Sequence, residues 1–258
     1  MKFVFAALFI ALIFSGCGDA KAEKPRNKAP LPVYLLLGQS NMVGMRSDAQ
    51  KLPESMKRTQ SNALFFKAGK WAPLAPGVSE VKGFGPEISF AQSMKASGKF
   101  GIIKVSAGAT TLFKEWNPTT DDSLYGKAID LVREAKKTRP IKIAGVLWMQ
   151  GESDGATQEM ADSYESNLRT LISSLRSDLN EPHLPIAACR VTAPSTQFPF
   201  IETVRKAQES VREPGYTWFN CDSLTKGPDN LHYDTDGQIK LGSMFAQAIK
   251  EAIRQAQM

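Results

Sequence analysis

Histidine and cysteine are the scarce residues of this chain, two and three respectively in 258 positions, and no CxxC pair occurs. Zinc and iron–sulfur sites are built from clusters of those ligands, so no metal-ligand cluster is expected. Internal repeats are absent, and no basic stripe with interleaved aromatics recurs, which makes nucleic acid a poor partner despite a formal net charge of +6. Part of that charge sits on Lys2, Lys21, Lys24, Arg26 and Lys28, all near the amino terminus. What remains is ordinary: 42% hydrophobic and 22% charged residues exclude wholesale disorder. The length suits one α/β domain with a sizeable core once the first thirty or so residues are set aside.

Those first residues read as an export signal. Met1-Lys2 precedes an apolar run over residues 3–14, too short for a comfortable membrane span. The segment Phe14-Ser15-Gly16-Cys17 resembles a bacterial lipobox, with Phe14 where leucine is preferred. The expectation is a lipoprotein signal peptide over residues 1–17, a lipid on Cys17, and a linker over residues 18–32. The alternative is an ordinary signal cleaved near Ala20 or Ala22. Gly18 lacks the aspartate of an inner-membrane retention signal, which points to the outer membrane, facing periplasm or cell surface. The basic residues here read as a solvated tether rather than a lipid-binding run.

From Val33 onward apolar runs alternate with helical spacing. The runs at residues 33–37, 102–106, 143–149, 185–191 and 216–221 are each short enough for a buried strand. Segments near 87–96, 124–136, 158–177, 201–212 and 235–255 carry helical periodicity. Alternation of this kind implies an α/β domain over residues 33–258, a three-layer α/β/α sandwich around a mostly parallel five-stranded sheet. The run at residues 63–66 is either an extra edge strand or part of a long excursion, residues 47–85, that forms a cleft wall. Cys189 and Cys221 each end a strand-like run. Buried thiols are the favoured state, because a bridge between parallel neighbours is geometrically awkward, although an oxidising compartment would permit one.

Chemistry-bearing residues follow the ends of these runs, where open α/β sheets place their sites. Ser40, in Gly38-Gln39-Ser40-Asn41, is a weak nucleophile that needs a base, and His232 is the better placed of two candidates. His183, in a turn-like Pro-His-Leu-Pro stretch, reads as a surface histidine. Asp229 stands three residues before His232, where it would orient the imidazole and stabilise its cation; by itself it would pass for a turn residue. The N–H groups of Ser40 and Gly108 and the amide of Gln150 fit the need for oxyanion donors, the alternative for Gln150 being a core-rim amide that bonds its own loop. Glu152 is either an auxiliary acid on His232 or a brace for its own loop, and the brace is favoured. Asp154 is expected to cap a helix or brace the loop. Gln39, Asn41, Glu87 and Trp116 remain as candidate substrate contacts. Asn41 also suits a tie within the nucleophile turn, Glu87 a first-turn acid, and Trp116 either a sugar-stacking wall or a packing lid.

Five elements together carry a family resemblance: Gly38-Gln39-Ser40-Asn41-Met42-Val43-Gly44, Gly85-Pro86-Glu87, Gly108 with Trp116 downstream, Gln150-Gly151-Glu152-Ser153-Asp154, and Asp229-Asn230-Leu231-His232. In that order they resemble the SGNH hydrolase superfamily, specifically the sialate O-acetylesterase-like branch that includes carbohydrate esterase family six. Two departures stand out: Ala109 replaces a glycine common after Gly108, and Gln150 occupies a position where distant members carry asparagine. The resemblance implies a flavodoxin-like fold and a Ser40-His232-Asp229 triad. It also implies oxyanion donors from Ser40, Gly108 and Gln150, no cofactor, and an acetylated carbohydrate substrate of acetylxylan or sialate type. The alternatives are an esterase for lipids or small non-sugar esters, and a glycan-binding lipoprotein without catalysis. Retention of Ser40, Asp229, His232 and Gln150 together argues against the last.

Overall fold

A computed structural model describes residues 29–79 and 83–257. The expected signal peptide, the anchor at Cys17 and most of the linker lie outside the described residues. Among the described residues no helix is long and apolar enough to cross a membrane.

The chain begins with β1 (Leu31–Gly38), two residues ahead of the apolar run that announced it, and turns into the short α1 (Ser40–Val43). After α2 (Glu54–Lys57) come β2 (Gln60–Lys67), β3 (Lys70–Leu74) and α3 (Glu87–Ser93). The remainder alternates regularly: β4 (Phe100–Ser106), α4 (Leu124–Thr138), β5 (Ile141–Met149), α5 (Gln158–Leu179), β6 (Ile186–Arg190), α6 (Ile201–Ser210), β7 (Tyr216–Asn220) and α7 (Thr235–Ala256). Every strand and helix anticipated from periodicity is present within a few residues.

The expected count of five strands is corrected to seven among the described residues, in the order β3-β2-β4-β1-β5-β6-β7. The five anticipated strands are contiguous and parallel, and β2 adds to them in parallel beside β4. Only β3 runs antiparallel, as a hairpin with β2. That hairpin turns through Ala68 and Gly69, both at positive φ (48° and 74°), the twist that suits a two-residue hairpin turn. Alanine in place of the usual asparagine or aspartate conceals the turn in the sequence. Pro73 is tolerated because β3 is an edge strand and needs no outward N–H.

Packing follows the two periodicities. All seven residues of β4 are buried, as a strand covered on both faces requires. Helix α5 buries Ala161, Tyr164, Leu168, Leu171, Ile172, Leu175 and Leu179, a stripe at three- and four-residue intervals. Its start is capped by the Thr157 hydroxyl accepting from the Met160 N–H, and its end by Asn180 in the left-handed conformation. Asp234 caps α7 in the same way, through the Gly237 N–H. Since Asp234 lies two residues past His232, the cap also ends the loop that carries that histidine.

Candidate active site

Strand register assembles the site. Gly38 of β1 pairs with Ser106 of β4 on one side and with Met149 of β5 on the other. Ser40 and Gly108 therefore both lie two residues past that level, and Gln150 lies one past it, at the carboxyl edge of the sheet. Only glycine fits at position 38, because a Cβ there would overlap the Met149 carbonyl.

Ser40 is the first residue of α1 and is 3% exposed. The first N–H groups of a helix have no partner in the preceding turn. Neither the Ser40 nor the Gly108 N–H donates to another group among the described residues. Gly108 itself is exposed and lies against Ser40: a Cβ built on it would stand 3.7 Å from Ser40 Cβ and 3.3 Å from Met45 Sδ. The following residue, Ala109, adopts φ 57°. This left-handed conformation costs a residue with a Cβ about 1–2 kcal/mol, which explains why glycine is usual there in the family the sequence resembles.

His232 arrives from the far end of the chain with its acid attached. Its Nδ1 is 3.0 Å from Asp229 Oδ2, while Asp229 Oδ1 accepts the N–H groups of Leu231 and His232 at 3.1 and 2.9 Å. Arg46 adds a further bond, donating from Nε to Asp229 Oδ2 at 2.9 Å. Burial opposes ionisation of Asp229. The ring and N–H of His232, the Leu231 N–H and the Arg46 guanidinium outweigh it and hold this carboxyl well below the usual carboxylate range. The Ser40 hydroxyl and the His232 ring are not hydrogen-bonded to each other here, as is common in a site without substrate.

What joins the two halves is Asn41. Its side chain donates to Leu231 O at 3.2 Å and accepts the Tyr233 N–H at 3.0 Å, gripping both residues that flank His232. The same amide donates to Glu152 Oε1 at 2.8 Å, and the Asn41 carbonyl accepts from Gln238 Nε2 of α7 at 2.9 Å. Glu152 is fully buried, its Oε2 has no partner, and burial pushes its carboxyl pKa up. Of the two readings of Glu152, its hydrogen bond to Asn41 fits the brace, and the His232 Nδ1 faces Asp229.

Of the two readings of Gln150, its hydrogen bonds fit the loop-bonding amide. It is fully buried, and its Nε2 faces Thr110 O at 2.9 Å, Asp154 Oδ2 at 2.6 Å and Gln39 Oε1 at 3.2 Å. Two amide protons shared among three protein acceptors leave none for an oxyanion. Asp154 completes the brace: its carboxylate also accepts the N–H groups of Leu112 and Phe113, so the loop that carries Gly108 is tied to the loop after β5. Burial, opposed by those bonds, pushes the Asp154 carboxyl up to about 6.

The four expected substrate contacts all turn inward. Gln39 is 2% exposed and accepts the Gly151 N–H. Asn41 forms the clamp just described. Glu87 makes a buried ion pair with Lys104 at 2.8 Å and accepts from Ser79 Oγ and the Gly85 N–H. Trp116 is fully buried, edge-on to Trp148, with its Nε1 on Thr110. A polar or aromatic residue at a strand end or in a loop carries in the sequence no sign of which way it faces. The exposed large hydrophobic residues are instead Met45 and Phe113, one following α1 and the other on the Gly108 loop. Arg46, Met45 and Phe113 went unremarked in the sequence because each sits in a stretch without periodicity. Among the described residues no group of three or more His, Cys, Asp or Glu side chains is arranged to hold a metal ion.

A mostly parallel sheet with these groups gathered at its carboxyl edge is the arrangement of an SGNH-type ester hydrolase. Residues 30–251 match the family described as carbohydrate esterase, sialic acid-specific acetylesterase. A probable carbohydrate esterase of Arabidopsis thaliana is 30% identical over 251 residues, covering 88% of this chain and 94% of the plant protein. An Arabidopsis structure aligns with TM-score 0.75 at 29% identity, over 86% of this chain and 99% of that one. The fold is also shared with NanS (TM-score 0.66, 16% identity, 88% and 99% covered). A carbohydrate acetylesterase from Xanthomonas citri shares it too (TM-score 0.67, 17% identity), with 86% of this chain matching 57% of the citri protein. The chain belongs to the sialic acid-specific acetylesterase family of carbohydrate esterases, and it is a carboxylic ester hydrolase.

Proposed function

We propose that this enzyme removes O-acetyl groups from carbohydrates by acyl transfer through Ser40. Ser40 Oγ attacks the acetyl carbonyl carbon as His232 Nε2 takes its proton, and Asp229 holds the imidazole by Nδ1 and stabilises the cation. The oxyanion is received by the N–H groups of Ser40 and Gly108. Collapse passes the proton from His232 to the departing sugar oxygen and leaves acetyl-Ser40. Water, deprotonated by His232, then releases acetate and restores the serine. Gln150 and Asp154 support this chemistry through the loop rather than by touching the ester.

The observation that carries the reading is the Asn41 grip on both neighbours of His232, which ties the loop of the proposed base to the residue that follows Ser40. Met45 over Gly108 supports a small acyl slot, because the thioether already occupies space that a longer chain would need.

The test is hydrolysis of aryl acetate against aryl butyrate, together with acetate release from acetylated xylan and from acetylated sialic acid. Acetate should be preferred, one of the sugars should be deacetylated, and Ser40→Ala should abolish both activities. Equal or faster turnover of long acyl chains would instead favour a lipid or small-ester substrate. The export reading is proposed with it: a lipid on Cys17 would hold the enzyme at the outer membrane. Mass spectrometry of the mature amino terminus tests this, and an unlipidated start would remove the anchor.

A further inference from the structure

Away from the acyl-transfer groups, the last two strands bring two sulfurs together. Strands β6 and β7 run parallel with Cys189 opposite Phe219 and Arg190 opposite Asn220. Cys221 is the next residue after β7, so the two cysteines are diagonal neighbours on adjacent strands. Both are fully buried, and both are unbridged in this structure. Their Sγ atoms stand 2.7 Å apart, well inside the roughly 3.5–4.0 Å at which even two carbon atoms rest without a bond.

Relaxation is hindered on the Cys221 side. Its sulfur is also met by Arg190 O at 3.0 Å and by the Tyr233 hydroxyl at 2.9 Å, and the core closes around both residues. Closing to a covalent S–S length of about 2.05 Å takes a shift of well under 1 Å, whereas two S–H groups at this separation crowd each other. Burial also pushes the Cys189 thiol up, which leaves it a poor free nucleophile once folded.

We propose that Cys189 and Cys221 are a cross-link site, joined as a cystine that fastens β6 to β7 directly behind the His232 loop. The oxidant is a disulfide of the class R–S–S–R, such as oxidised glutathione. One cysteine thiolate, having lost its proton, attacks the carrier and releases the first R–SH. The second thiolate then displaces the other R–S group, closing the Sγ–Sγ bond as two electrons pass to the carrier. Because both sulfurs are sealed in the folded chain, the exchange belongs to folding, before this sheet edge closes. The two cysteines are 32 positions apart, so the closed loop contains α6. Tyr233, which donates to Cys221 Sγ, follows the catalytic base directly and gives its N–H to Asn41, so the cross-link stands behind the acyl-transfer loop.

The experiment uses the full-length chain refolded in a glutathione redox buffer, then denatured, alkylated without reductant and digested for mass spectrometry. The expected result is one cross-linked peptide containing Cys189 and Cys221, with neither alkylated. The oxidised protein should melt roughly 5–10 °C above the same protein treated with dithiothreitol. The Cys189→Ala, Cys221→Ala double variant should show no difference between the two treatments. Complete alkylation of both residues, or pairing of either with Cys17, would overturn the proposal. Equal melting temperatures for the oxidised and reduced wild type would overturn the fastening role.

Discussion

Asn41 Oδ1 accepts the Tyr233 N–H at 3.0 Å, so the residue after Ser40 holds the residue after His232 across 192 positions of sequence. The approach of Ser40 to His232 thus depends on a side chain that performs no chemistry. Asn41→Ala would strand the Tyr233 N–H, the Leu231 carbonyl and the Glu152 carboxyl together. The expected outcome is a loss of about 2–3 kcal/mol in stability. With aryl acetate, kcat should fall by about tenfold or more with little change in KM, since the interaction lost orients the reacting groups and touches no substrate. A variant that melts lower but turns over normally would show that the clamp serves folding alone.

The two acids near His232 should separate cleanly. Asp229→Asn is expected to lower kcat by up to about 10⁴-fold, because the amide favours the wrong imidazole tautomer. Glu152→Gln should retain most of the activity, since burial already favours the neutral acid at that position and the amide is close in shape. The double variant should match Asp229→Asn alone. Steady-state kinetics on folded proteins decide it, and a severe Glu152→Gln with a mild Asp229→Asn would exchange the two roles.

Gly108→Ala tests the space beside the nucleophile. The added Cβ would stand 3.7 Å from Ser40 Cβ, where the ester must dock, and meet only the flexible Met45 thioether at 3.3 Å. Activity should therefore drop by about 10²-fold through misplacement of the ester, the Gly108 N–H being kept, while the melting temperature stays nearly constant. Comparable turnover in wild type and variant would show that the ester does not dock against position 108.

Asp154 makes stability depend on pH. Its carboxyl rises from an ordinary 3.8 to about 6 in the folded chain, so the folded state holds the proton more tightly than the unfolded one. The stability this contributes is fully present below about pH 4 and is lost as pH rises through about 6, a difference on the order of 3 kcal/mol. Asp154→Asn has no such titration. Urea denaturation at several pH values should show the wild type losing ground against the variant between about pH 4 and pH 7. A gap that stays constant over that range would contradict the buried, raised carboxyl.

Glu87→Gln should act on stability and not on substrate. It leaves the Lys104 ammonium, 1% exposed, without its carboxylate, which is expected to cost about 3–5 kcal/mol. KM for acetyl esters should be unchanged below the melting temperature. A raised KM with an unchanged melting curve would return Glu87 to the substrate surface.

Much of this architecture was legible before folding. Alternating strand runs and helical stripes located the central five strands and the covering helices, because burial on two faces or on one stripe imposes different periods on the chain. The β2–β3 hairpin was legible only in part: the run at residues 63–66 offered β2 as an edge strand, but β3, which takes the edge, and the turn between them gave no signal. Ala68 gives no turn signal, and Pro73 argues against a strand unless that strand is known to lie at the edge. Among the site residues, Asp229 and His232 were recognisable as a pair because three positions of spacing is a local fact.

The amino-acid sequence by itself determined which residues could reach the carboxyl edge of the sheet, since strand ends and parallel order follow from local pattern and chain connectivity. Only the tertiary structure decided which of them face a substrate. Gln150, Glu152 and Glu87 are polar groups within two residues of a glycine, as Ser40 is, yet each is committed to a partner elsewhere in the fold. Gln150 bonds Thr110, Glu152 bonds Asn41, and Glu87 bonds Lys104. A buried polar group must find a hydrogen-bond partner or bear the cost of desolvation, and where that partner lies is a property of the folded chain rather than of neighbouring residues.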